Sequence, residues 1–277
     1  AMKIPRYWAR ARGATGAQNA DLVTYGWSDT SAEDARAVAA ERLSKLSPRF
    51  LDDREAWLND YDYPRNPLRE EILNEFSAGE ATNIVTRNSY GALILNTDRV
   101  IIVDADIPLD GFVQLIKRLF GGKSDNETAV CAKLKAAAVQ LNCAMRIYRT
   151  RAGFRAIVTD RLCAPDDAFA TQLFDAAGAD PQYVKLCKAQ KSYRARLTPK
   201  PWRIGLTKPP NPFPRESPAE VTAFEAWLAS YGTTMQDYST CRWIEDVGSG
   251  HVLPAVADVL KVHDALTGAL EGTRELA

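Results

Sequence analysis

Histidine is nearly absent from this chain: His251 and His263 are the only two in 277 residues. A Ser-His-Asp triad or a His-rich metal centre therefore has very little material. Cysteine is scarce as well. Cys131, Cys143, Cys163, Cys187 and Cys241 are odd in number and widely spaced, with no CxxC. That excludes a disulfide framework and a zinc ribbon, and it reads as buried thiols in a reducing cytoplasm. No apolar stretch approaches the roughly 18 residues needed to span a bilayer, and a signal-peptide pattern is lacking. A cytoplasmic protein with no membrane partner is expected. Net charge is absent too, with 35 basic residues against 35 acidic, so no global field favours nucleic acid. What remains is an ordinary globular composition, 46% hydrophobic and 25% charged, on a chain long enough to bury a substantial core.

The charge is not evenly spread. Between Lys185 and Arg215 stand nine basic residues (Lys185, Lys188, Lys191, Arg194, Arg196, Lys200, Arg203, Lys208, Arg215) and no Asp or Glu. A local field of this kind attracts polyanions whatever the whole-molecule sum. A solvated basic face is the plain alternative. Tyr193, Trp202 and several prolines interrupt the run, which is unlike a simple polar helix. Tyr193 or Trp202 could stack on a base, although buried packing is the commoner role for either.

Short strands are expected in residues 1–28. Thr30-Ser31-Ala32-Glu33-Asp34 has capping-box character and opens an Ala-rich helix through Leu46, which Ser47-Pro48 ends. A loop from Asp52 to Pro67 and a short helix from Leu68 to Phe76 follow. Ile84-Val85-Thr86-Arg87 and Ala92-Leu93-Ile94-Leu95 read as strands around a turn at Asn88–Gly91. Helices are expected at Phe112–Phe120, Glu127–Leu141, Pro165–Ala177, from a capping box at Ser217-Pro218-Ala219-Glu220 to Tyr231, and at Leu253–Leu270. Met145–Thr150 and Phe154–Thr159 alternate as two strands around Arg151-Ala152-Gly153. Glu245-Asp246 with Gly248-Ser249-Gly250-His251 could supply a ligand or a phosphate loop, but a polar loop between helices is the better reading. This order of elements predicts an α+β fold with a largely antiparallel sheet.

Three segments carry chemistry. Val100-Ile101-Ile102-Val103-Asp104-Ala105-Asp106 is an apolar run ending in two acids one residue apart. In a strand, residues i and i+2 share a face, so both carboxylates project together. Such a pair suits Mg²⁺ or Mn²⁺, which prefer hard oxygen donors. A turn-forming acid pair ahead of Ile107-Pro108-Leu109-Asp110-Gly111 is the alternative. Next comes Thr150-Arg151-Ala152-Gly153-Phe154-Arg155, whose glycine permits close backbone approach and whose arginines offer bidentate donors to phosphate, or which is an ordinary surface hairpin. The third is Gly178-Ala179-Asp180-Pro181 ahead of the basic stretch, where Asp before Pro is also a common turn residue.

In their order and spacing these motifs resemble the catalytic core of archaeo-eukaryotic primases and primase-polymerases, over about residues 83–205. That family has an apolar strand ending in D-x-D or D-x-E, a Ser/Thr-x-x-Gly-x-His-like hairpin, a lone Asp, and in many versions a basic Arg-Leu-Pro-Gly segment. Asp104 and Asp106 match the first motif, Thr150 to Arg155 the hairpin, Asp180 the lone acid, and Arg194 to Lys200 the basic segment. The match is divergent: Arg155 stands where the family has its phosphate-contacting histidine, and Thr198-Pro199 replaces the Pro-Gly turn.

The resemblance implies an RRM-like sheet core at residues 81–215, with a mainly helical addition at 1–80 and a helical one at 216–277. It implies nucleic-acid-directed nucleotidyl transfer, with Asp104, Asp106 and Asp180 holding two Mg²⁺ or Mn²⁺ ions. Thr150, Arg151, Gly153, Arg155 and Lys200 would bind nucleoside triphosphate, and Lys188, Arg194, Arg196 and Arg203 would contact template phosphates. Two alternatives stand beside it. One is a non-catalytic nucleic-acid-binding replication or mobile-element accessory on the same fold. The other is a metal-dependent phosphohydrolase or glycosyltransferase using the D-x-D pair.

Overall fold

Apolar runs at 84–85, 93–95 and 100–103 are too short for helices, and the chain lays them down as neighbouring strands. The computed structural model describes residues 2–14, 21–52, 67–108 and 125–277. Strands β3 (Glu71–Ala78), β4 (Ala81–Arg87), β5 (Leu93–Thr97) and β9 (Tyr193–Arg196) form one antiparallel sheet in the order β3-β4-β5-β9. Strands β6 (Ile102–Asp106), β7 (Met145–Thr150), β8 (Gly153–Val158) and β11 (Cys241–Val247) form a second, in the order β11-β7-β8-β6. β9 also touches β6, so the two sheets meet where the acid pair leaves the core.

Helix α2 (Asp125–Gln140) crosses from β6 to β7, and α3 (Ala168–Ala177) packs beside it. Leu95, Ile101, Ile102, Leu134, Ile147, Ile157 and Leu173 are fully buried in a shared core between sheets and helices. Each such side chain contributes roughly 1.5–3 kcal/mol. The chain is thus α+β with antiparallel sheets, as its element order predicts. No disulfide forms; Cys143, Cys163, Cys187 and Cys241 are buried and Cys131 half-buried. Among the described residues no helix is long and apolar enough to cross a membrane.

The ends of the chain combine strands with helices, the short strands expected in residues 1–28 among them. β1 (Tyr7–Ala14) pairs antiparallel with β2 (Asp21–Ser28), and α1 (Ala32–Asp52) packs against them. A Cβ on Gly26 would lie 2.2 Å from the Ala35 carbonyl oxygen, so glycine is what allows helix and strand to approach so closely. Ser31 Oγ caps α1 through the Asp34 amide at 3.0 Å. The helix runs past Ser47-Pro48 to Asp52.

Residues 68–76 are not a short helix. Leu68, Ile72 and Phe76 recur every four positions, but β3 is an edge strand whose bulge between Ile72 and Asn74 breaks strict alternation. Residues 216–277 contain α5 (Pro218–Thr234) with the full Ser217–Glu220 capping box, and α6 (Pro254–Thr267). They also contain β11, which carries Glu245 and Asp246 on the sheet rather than in a loop, and the two-residue strands β10 (Tyr238–Ser239) and β12 (Glu275–Leu276). The helix expected at 112–120 and most of the loop at 52–67 lie outside the described residues.

Candidate functional site

Strand periodicity puts both acids of the pair on one side. Val103 and Ala105 are buried, Asp104 is half-buried and Asp106 is exposed. Asp180 caps α4 (Pro181–Gln190), its Oδ1 accepting from the Gln182 amide at 3.0 Å. Its own backbone N–H donates to the Asp104 carbonyl at 3.0 Å. Three carboxylates, two from β6 and one from the start of α4, thereby become neighbours. The Asp106 carboxyl is pushed above the usual range, first by the loss of water around it and then by the negative charges of Asp104 and Asp180. Lys200 and Arg203 act on it in the opposite direction.

Asp104 is already engaged. It pairs across the ladder with Arg155, whose Nε donates to Asp104 Oδ1 at 2.9 Å. The Arg155 side chain is only 3% exposed. Its Nη1 also donates to the Arg196 carbonyl at 3.0 Å and lies 3.3 Å from His263 Nε2 on α6. A guanidinium has no acceptor, so His263 Nε2 must accept and its proton must sit on Nδ1. Nδ1 faces Asp264 Oδ1 at 2.8 Å. Tyr148 Oη donates to the same oxygen at 2.7 Å, and Arg146 Nη1 reaches Asp264 Oδ2 at 3.1 Å. Arg146 continues to Asp246 at 2.9 Å. Burial works against the Asp264 carboxylate, yet the His263 and Tyr148 donors keep its carboxyl below the usual range. A polar chain therefore runs from half-buried Asp104 through buried Arg155, His263 and Asp264 and on through Arg146 to exposed Asp246. Sequence reasoning missed its far half; β11 and α6 offered only a polar loop and a helix, and nothing in their spacing points at β7.

The hairpin serves the sheet first. Thr150 Oγ1 accepts from the Gly153 amide at 3.0 Å. A Cβ on Gly153 would stand 2.1 Å from the Ala105 carbonyl oxygen, so the close approach is to β6. Arg155 faces inward, whereas Arg151 is exposed at the tip and its positive charge repels that of Arg203.

The basic stretch divides. Arg194 bonds Glu70 at 2.6 Å and also the Asn96 side chain, with both ionic partners nearly buried. Arg215 bonds Glu71 at 3.3 Å and lies 3.2 Å over the Phe224 ring. Lys188 is exposed on α4 and bonds Thr171 Oγ1 at 3.0 Å. Arg151, Arg196, Lys200 and Arg203, by contrast, form no ion pair with any described acid. Burial pulls the Arg196 guanidinium down to about 10, with Arg203 adding to the effect. Lys200 and Arg203 are lowered as well, again first by burial and then by neighbouring cations. Around them, Trp202 is 48% exposed, packed edge-on against Tyr90 at 5.2 Å, whereas Tyr193 is fully buried.

The donor set does not fit the two-metal centre that the resemblance implies. Among the described residues no three His, Cys, Asp or Glu side chains are placed to hold a metal ion. Asp104 faces Arg155 and Asp180 faces its own helix terminus. No family model, curated protein or solved structure matches this chain.

Proposed function

We propose that this chain is a nucleic-acid-associated protein with a primase-polymerase-like core, taking phosphate groups at Arg151, Arg196, Lys200 and Arg203. One observation carries the reading: three carboxylates, two on β6 and one at the start of α4, stand beside a group of half-buried cations that form no ion pair with a described acid. Half-buried cations left without an acidic partner are a cost to the fold that a bound polyanion offsets. The adjacent strands β7-β8-β6, with α2 crossing from β6 to β7, support the RRM-like form of the core.

The reading has a stronger form, nucleotidyl transfer to a primer with nucleoside triphosphates, and a weaker form, binding alone. Arg155 favours the weaker one, because its guanidinium occupies the carboxylate that a divalent ion would need. In either form Arg151, Lys200 and Arg203 neutralise phosphate charge, which positions a strand without specifying its sequence.

The test is primer extension on single-stranded DNA and RNA templates with Mg²⁺ or Mn²⁺ and labelled nucleotides, run beside binding across a salt series. Asp106→Ala is the informative variant, since replacing Asp104 would strand a buried arginine. We expect salt-sensitive binding without Asp106-dependent product. Product that disappears with Asp106 would establish the transferase form. Absence of both product and binding would overturn the reading altogether.

A further inference from the structure

Resting on that reading, we infer that Trp202 is a stacking platform for an unpaired base of single-stranded nucleic acid. The phosphates flanking that base would lie on Lys200, Arg203 and Lys208. Trp202 is the most exposed of the described tryptophans. An indole left in water needs a reason, because burying it would contribute more than almost any other side chain.

The platform is rigid. Trp202 sits in a 3-10 turn, Pro201–Arg203, with Pro199 and Pro201 just ahead and Pro201 buried. The Tyr231 hydroxyl donates to the Pro199 carbonyl at 2.6 Å, and the Leu206 amide closes on the Pro201 carbonyl at 2.9 Å. Tyr90 braces the ring by an edge contact with an interplanar angle of 65°. A surface held in place before the ligand arrives loses little ordering entropy on binding.

The surroundings have the sign a strand requires. Lys200 Nζ and Lys208 Nζ lie 5.6 Å and 5.7 Å from the ring centroid. Both distances fall at the outer limit for cation–π contact. A base on the ring thus displaces only loose contacts and leaves two ammonium groups for its phosphates. Arg203 follows directly in sequence and has no ion pair with a described acid. Trp243 makes the contrast: it is 43% exposed, but its Nε1 donates to Asp246 at 3.2 Å and Glu245 is close in sequence. Both acids beside it are paired with bases, Asp246 with Arg146 and Glu245 with Lys135, so the charge around that ring is already neutralised and exposure alone does not make a platform. A single strand is the occupant because its bases present free faces, which duplex stacking conceals.

Binding of a fluorescein-labelled mixed-sequence 12-mer, single-stranded and as duplex, is measured on the full chain, with inorganic tripolyphosphate as a baseless polyanion. Trp202→Ala should weaken single-strand binding about tenfold, the size of one lost base–aromatic stack. Trp202→Phe should stay within about threefold, because a ring remains. Both variants should bind tripolyphosphate as wild type does and melt at its temperature. Unchanged single-strand affinity in Trp202→Ala would overturn the inference, as would an equal loss for tripolyphosphate. Wild type binding tripolyphosphate but no strand would overturn the stacking role alone. Wild type binding neither would remove the phosphate-binding reading beneath it.

Discussion

Arg155, Arg194 and Arg215 on one side, and Arg196, Lys200 and Arg203 on the other, come from the same hairpin and the same basic stretch, yet they meet opposite fates. The first three are paired with Asp104, Glu70 and Glu71. The second three are half-buried near one another and have no carboxylate within ion-pair distance among the described residues. The difference is decided by tertiary placement: the β6–β8 register sets Arg155 opposite Asp104, and the ion pairs to Glu70 and Glu71 hold Arg194 and Arg215, whereas no described acid is brought to the other three. A charge is committed to stability or left for a ligand according to what the sheet sets beside it. Local composition does not decide this.

The largest effect is expected at the paired end. Arg155→Leu removes the only cation beside Asp104 in the ladder and deprives His263 Nε2 and the Arg196 carbonyl of their donor. Breaking a buried pair from one side costs about 3–5 kcal/mol. Urea unfolding should show the loss through a lower midpoint at unchanged slope. Wild-type stability in this variant would mean that the buried chain is not structural, and the comparison would fail at its strongest point.

A second paired charge gives a pH signature. Glu220 accepts from Arg10 at 2.8 Å and from the Glu216 and Ser217 amides, joining the β1-β2 hairpin to α5. Hydrogen bonding by Arg10, then by the backbone, lowers its carboxyl from an ordinary 4.5 to about 2. A carboxyl lowered in the folded state adds stability that is complete above the unfolded value. That stability is lost as pH falls from about 4.5 through about 2. Glu220→Gln should cost about 2 kcal/mol at neutral pH. Stability followed by thermal melting should also decline less steeply between pH 5 and pH 2 in the variant than in wild type. Parallel pH profiles would assign the acid sensitivity elsewhere.

The strands around the acid pair were legible because their signal is local: short apolar runs, a turn at Asn88–Gly91, and alternation at 145–158. The Ser217 capping box was equally plain, since its two reciprocal bonds depend on four consecutive residues. β3 was misread because its bulge leaves the four-residue spacing of Leu68, Ile72 and Phe76 as the visible pattern. β11 and its place beside β7 were not visible, because strand pairing across about a hundred residues leaves no periodic trace. Within the site, the meeting of Asp104, Asp106 and Asp180 was anticipated from motif order. The engagement of Asp104 by Arg155 was not, although the substitution that produces it was seen. A histidine at 155 would read as a ligand group; an arginine directly opposite an aspartate in a ladder reads as its counter-ion. The same register explains why a nine-cation run without acids is only partly free.

At the unpaired end, effects on stability should be smallest and effects on binding clearest. Lys200 and Arg203 are both held below their ordinary pKa by burial and by neighbouring cations. A base whose pKa falls on folding destabilises the fold while charged, so removing it costs nothing and relieves repulsion. Lys200→Ala with Arg203→Ala should therefore leave unfolding free energy within about 0.5 kcal/mol of wild type. The same double variant should weaken single-strand binding and flatten the slope of log affinity against log salt by about 1.4, two phosphate contacts' worth. Arg194→Ala is the mirror experiment: it should destabilise, since Glu70 is left nearly buried without its partner, and it should leave the salt slope alone. Destabilisation in the first variant, or a changed slope in the second, would show that fold and ligand draw on the same charges.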